Sequence, residues 1–170
     1  MKKLCLTLSI ISIFALSSIA QNSRKAEKNK QRDEQYNLAL QLIDAGKYEF
    51  NGRRAITQKG RSIDLTTRSN FLRINDNKAM ADMPYFGRAF SGGYSTTDGG
   101  VNFDGSMEEV DIQKNQKKRR IQVRFKVRGS DDTYTCSLAV NGPETATLSV
   151  SSNKRQTITY NGTLRPLGDE

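Results

Sequence analysis

The chain has 170 residues, with 27 Lys and Arg against 18 Asp and Glu and a formal net charge of +9. It contains no histidine, which excludes Ser-His-Asp and Cys-His nucleophilic arrangements and every His-ligated zinc or iron centre. The length suits one domain, large enough to bury ~70% of the surface of its unfolded chain.

Residues 1–20 read as a secretory signal peptide. Lys2 and Lys3 precede an apolar run from Leu4 to Leu16, and Ser17-Ser18-Ile19-Ala20 places small residues around a cleavage point after Ala20. The run is shorter than the ~20 residues that span a bilayer, so no integral membrane segment is expected once the signal is removed. Cys5 stands at the start of the run, whereas a lipid-attachment cysteine follows it, and the expected product is periplasmic or secreted and begins at Gln21. Losing Lys2 and Lys3 lowers the net charge from +9 to +7. Cys136 is then the one remaining thiol, so stability has to come from packing rather than from a disulfide framework.

Residues 21–35 are a polar arm or the frayed start of a helix, with Arg24, Lys25, Lys28, Lys30 and Arg32 among mixed charges. Tyr36, Ala39, Leu40 and Ile43 recur at helical spacing and Gly46 supplies a stop, which predicts a helix from about Ala26 to Ala45. Its apolar face packs on a single β-rich domain over 36–168. After Gly46 the period becomes two, with strands around 48–57, 62–67, 71–74 and 79–83 forming two antiparallel pairs. The clearest strand is Arg120 to Arg128, where Ile121, Val123, Phe125 and Val127 face one way and Gln122, Arg124, Lys126 and Arg128 the other. Its partner buries Tyr134, Cys136, Leu138 and Val140, Asn141-Gly142-Pro143 turns the chain, and Ala146, Leu148 and Val150 continue the inward set. Ile158 and Tyr160 end it, and Asn161-Gly162-Thr163 reads as a turn. The fold class is therefore mainly β: an antiparallel meander of nine to eleven strands, a sandwich or a partly closed barrel, with one N-terminal α-helix.

The most uneven stretch is Pro84-Tyr85-Phe86-Gly87-Arg88-Ala89-Phe90, continued through Tyr94 to Phe103-Asp104-Gly105. Between Tyr85 and Phe103 it holds five of the chain's thirteen Phe and Tyr residues and five glycines. Pro-Tyr-Phe-Gly followed by the strand Gly100-Val101-Asn102-Phe103-Asp104-Gly105 resembles the bacterial domain-of-unknown-function family numbered 4251, and Asn141-Gly142, Ala146 to Val150, and Asn153-Lys154-Arg155 leading to Ile158 to Gly162 fit as well. The resemblance covers roughly Leu38 to Leu167. It implies a small exported β-rich protein of Bacteroidota-type cells and brings no activity or catalytic residue.

Several constellations bear on chemistry. Asp98, Asp104, Glu108, Glu109 and Asp111 cluster in sequence as glycosidase-type carboxylates do, but strand alternation sets Glu108 out of phase with Glu109. An EF-hand reading around Gly105 fails at both ends, with Gly100 and Asp111 at its first and last ligand positions. The residues thus call for no catalytic group, metal or cofactor. Lys117, Lys118, Arg119 and, along the strand, Arg124 form a basic hairpin suited to anionic lipid headgroups or acidic glycans. It lacks the aromatic rings that stack on nucleic acid, which is not an expected partner. Tyr85, Phe86, Arg88, Phe90 and Tyr94 either fill a sheet corner or line the mouth of a cavity. Two functions follow: a non-enzymatic binding module for a small apolar or glycan ligand or an envelope protein, or an accessory module that meets anionic envelope surfaces through the basic hairpin. A hydrolase using carboxylates is a third.

Overall fold

Alternation of large apolar and polar residues from Lys47 onward gives each strand one face to bury, and the strands satisfy this by rolling around a common interior. In the computed structural model, residues 24–87, 100–130 and 132–168 are described; the signal region 1–20 lies outside them. The described residues fall into two units, divided between Glu34 and Gln35. Residues 24–44 are helical (α1); those of the first unit, 24–34, are almost wholly exposed.

Nine strands follow among the described residues: β1 Lys47–Thr57, β2 Ser62–Asp64, β3 Phe71–Asn75, β4 Lys78–Met83, β5 Val101–Asn115, β6 Arg120–Arg128, β7 Thr133–Gly142, β8 Thr145–Ser152 and β9 Ile158–Pro166. All pairings are antiparallel, and β9 returns to pair with β1 from Tyr48↔Pro166 to Thr57↔Ile158. β1 and β3–β9 thus close into an eight-stranded up-and-down barrel, with β2 added on β1. Closure removes the edges that a sandwich would leave.

Two local devices let β1 serve three neighbours. It pairs with β3 as far as Phe50↔Leu72 and with β2 from Arg54↔Asp64, leaving Gly52 with no strand on that side. The buried Asn70 fills the gap: its side-chain oxygen accepts from Gly52 N–H at 2.8 Å and its amide donates to the Gly52 carbonyl at 2.9 Å, as a strand would. A bulge between Gly52 and Arg54 then shifts the phase, so that Tyr48 and Phe50 before it and Ala55 after it all point inward. On the other side of Gly52, Gly162 approaches so closely that a Cβ there would collide with the Asn51 carbonyl. Asn161-Gly162 is accordingly not a turn. It lies in the middle of β9, and glycine is there because the two backbones touch. β7 likewise runs through Asn141 and Gly142, so the reversal falls on Pro143-Glu144.

The interior is filled by side chains with almost no exposure, Phe50, Leu72, Ile74, Met83, Ile121, Phe125, Leu138, Leu148, Ile158, Tyr160 and Leu164 among them, interleaved with Ala55, Ala79, Ala81 and Ala146. Cys136 sits in this core, and burial pushes its thiol up to about 12. Residues 35–44 of α1 cross the end where β1 enters and the β3–β4, β5–β6 and β7–β8 turns lie: Tyr36, Ala39 and Ile43 join the core, and Gln35 lies against Gly142. Gly46, at φ +68°, stops the helix and turns it into β1.

Candidate functional site

Two regions hold the residues singled out from sequence, one at each end of the barrel. At the end opposite α1, the chain leaves β4 at Met83 and runs across the mouth as Pro84-Tyr85-Phe86-Gly87. These residues are not in a strand, so alternation does not send the two rings to opposite faces; both are half-buried and pack on the core from the same end. The Tyr85 ring folds back over Gly87, where any side chain would collide with its hydroxyl. That hydroxyl donates to the Gln156 carbonyl at 2.9 Å, and Tyr160 donates from inside the barrel to the Pro84 carbonyl at 2.9 Å. Arg155 lies 5.3 Å over the Tyr85 ring and donates to the Gly100 carbonyl, and Arg68 lies 6.0 Å over Phe86. Burial raises both tyrosine pKa values, a rise that the Arg155 charge partly offsets. Tyr85 is therefore pinned to the β8–β9 connection, and Phe86 packs on the core beside Arg68 of the β2–β3 connection. Arg88, Phe90 and Tyr94 lie outside the described residues, as does Asp98.

Nothing in the sequence ties Arg68, Arg155, Gln156 and Tyr160 to this mouth: Asn153-Lys154-Arg155 leads into the last strand and Tyr160 is an inward position of it, and neither spacing points to residues more than fifty positions earlier.

At the α1 end, β5 outruns β4, while β6 stays paired with β7 as far as Ile121↔Val140. β4 pairs with β5 only between Lys78↔Ser106 and Met83↔Val101, and Met107 N–H adds one bond to the Asn77 carbonyl. Beyond it, 108–115 pair with β6 alone, forming an arm whose tip is 116–119. Asn115 accepts from Lys118 N–H at 2.9 Å and Arg119 takes the left-handed φ of 50° that tightens the turn. Lys117 and Lys118 are exposed at this tip beside Arg119 and the exposed Arg120.

Arg124 does not extend the basic tip into a uniform row. It stands opposite Asp111 on β5, while Lys126 is opposite Glu108 and bonds the Glu109 carboxylate at 2.6 Å. A register shift between Glu108 and Asp111, with Glu109 at φ 52°, breaks the alternation expected to separate Glu108 from Glu109. Asp104, Glu108, Glu109 and Asp111 are all exposed on the outer wall. The phase break was legible: the apolar positions move from odd at Met107 to even at Val110 and Ile112.

Two shallow concavities lie on the outer wall, one along Asp82, Asn102, Asp104, Glu108 and Arg128, the other by Lys47, Arg73, Lys78 and the C-terminal Leu167. No helix among the described residues is long and apolar enough to cross a membrane.

A family model described as a domain of unknown function (DUF4251) matches residues 30–164. A crystal structure of a DUF4251 family protein from Bacteroides eggerthii is similar, with a TM-score of 0.60 and 23% identity over 78% of this chain and 87% of that one, a likeness of fold. No curated protein matches the chain.

Proposed function

Because this chain belongs to the DUF4251 family of domains of unknown function, we propose from its geometry that it is a non-catalytic, exported accessory module of the cell envelope that works through the outside of its barrel, chiefly the β5–β6 arm. The filled interior carries this reading. Tyr160, Phe125 and their neighbours occupy the volume where an eight-stranded barrel would hold a small ligand, α1 covers one end, and Tyr85 with Phe86 covers the other. A small apolar ligand is thus the weaker of the two binding readings. The arm projects past the β3–β4 turn with Lys117, Lys118 and Arg120 at its tip, while the acidic residues lie further down, facing Arg124 and Lys126. This arrangement suits contact with an anionic surface, the shared chemistry of lipid headgroups and acidic glycans.

Cosedimentation with phosphatidylglycerol vesicles tests it. Each exposed Lys or Arg near such a surface is worth ~1 kcal/mol, so reversing Lys117, Lys118 and Arg120 to Glu weakens binding by at least ~100-fold, and raised salt weakens the parent protein similarly. Unchanged binding by the triple variant, or a stoichiometric apolar ligand retained through native mass spectrometry, overturns the reading.

A further inference from the structure

We propose that the free edge of β5, Val110–Asn115, is a strand-pairing site for a second copy of this chain, joining two barrels antiparallel about a two-fold axis at Ile112. An unpaired strand edge presents N–H and C=O groups that another strand can satisfy, and proteins ordinarily blunt such edges. The earlier part of β5 is covered on this side by β4, paired from Met83↔Val101 to Lys78↔Ser106, and Met107 N–H still reaches the Asn77 carbonyl. From Val110 onward no strand among the described residues lies on the side away from β6.

The side chains of this edge point to its occupant. Ile112 stands opposite Val123 and Lys114 opposite Ile121, so Ile112 and Lys114, with Val110 two residues earlier, lie on the sheet face that elsewhere forms the core. Val110 and Ile112 are nevertheless 44% and 47% exposed, two of the four large exposed hydrophobics among the described residues. The inward cation that would ordinarily guard the edge is diverted, since Lys114 is held at 2.5 Å by Asp44 of α1. The sequence is also polarised, with Glu108, Glu109 and Asp111 in its first half and Lys114 and Lys117 in its second. Antiparallel self-pairing about Ile112 therefore sets Ile112 against Ile112, Val110 against Lys114 and Asp111 against Gln113. No like charges oppose one another, and the four exposed apolar side chains come together on one face. The register break that begins after Glu108 ends the pairing on that side. So short an edge falls at the small end of interface sizes, which gives a concentration-dependent dimer rather than an obligate one.

The test uses the full chain with Cys5→Ser, where the remaining Cys136 is buried in the core. Sedimentation equilibrium across a concentration series gives the mass rising from monomer to dimer, and Val110→Lys with Ile112→Lys, both at exposed positions, keeps the fold by circular dichroism and stays monomeric. Under mild oxidation Ile112→Cys cross-links to a second copy, because directly opposed Cβ atoms sit within disulfide reach, whereas Val110→Cys alone does not. A monomer at every concentration, or equal cross-linking at both positions, overturns the proposal. So does a monomer whose 110–115 amides gain exchange protection only with an added envelope protein. Reversal of Lys118 and Arg120 alone, Lys118→Glu with Arg120→Glu, leaves this dimer intact while weakening vesicle binding, so its failure and that of the anionic-surface reading are told apart.

Discussion

Gly162→Ala tests the closure of the barrel at its seam. A Cβ at this position collides with the Asn51 carbonyl oxygen and lies 2.8 Å from its carbonyl carbon and 2.9 Å from the Phe50 ring. The first two are main chain on β1 and the third belongs to a fully buried ring, so none can step aside without moving the strand. Overpacking of this kind costs ~1–3 kcal/mol, and an obstacle made of backbone puts the cost at the upper end. Alanine returns ~0.4–1 kcal/mol by restricting the unfolded chain, which leaves a net loss of about 2 kcal/mol. For a domain of this size that is a fall in Tm of ~4–8 °C. Urea unfolding followed by circular dichroism measures it, with Gly168→Ala, where nothing lies within 4 Å, as the neutral control. A loss below ~0.5 kcal/mol would refute the close approach of β1 and β9 and restore Asn161-Gly162 as a turn.

Asn70→Ala removes the side chain that stands in for a strand at Gly52 and leaves a buried N–H and C=O without partners; a loss of ~2–4 kcal/mol in the same assay is expected, and less than 1 kcal/mol would mean water takes its place. Tyr160→Phe deletes the bond that pins Pro84 across the mouth, costing ~1–2 kcal/mol and speeding amide exchange at Phe86 and Gly87. If exchange there is unchanged, the mouth is held by Tyr85 and Arg155 alone. Stability should also fall in alkali: burial raises the folded pKa of Cys136 to about 12 and raises those of Tyr48 and Tyr160 as well, so the unfolded state releases its protons first. That contribution is complete below about pH 8.5 and is lost progressively as pH rises towards 12. A Tm that holds steady from pH 9 to 11, or a Cys136→Ala variant whose decline is as steep as the parent's, contradicts this.

What sequence conveyed here was mostly a matter of which terms are local. Ile121, Val123, Phe125 and Val127 alternate so regularly that their burial follows from strand geometry alone, and β7 repeats the pattern around Cys136. Tyr36, Ala39 and Ile43 fix the buried face of α1 in the same way. Closure was less legible, because it depends on β9 finding β1, and the glycine that permits it looks in one dimension like a loop residue. The mouth was half legible. Composition drew attention to Tyr85 and Phe86, but their partners Arg68, Arg155 and Tyr160 come from distant parts of the chain. At the arm, Lys117 and Lys118 were visible as charge, whereas the acids facing Arg124 and Lys126 emerge only from register, and the exposure of Ile112 only from the early end of the β3–β4 hairpin.

The β1–β9 seam has a consequence in time. A meander can add each strand to the one before it as the chain emerges, but this circle joins β1 to β9, which is made after every other strand among the described residues. Until then β1 lacks half its hydrogen bonds, and Tyr48, Phe50 and Ala55 face an open trough. Forming so distant a contact is slow because a long loop must be ordered first. A nascent chain of this design stays unfinished, and hence threadable through a narrow pore, until β9 has been synthesised. Loss of β9 would leave no smaller barrel behind, only a curled sheet with two sticky margins.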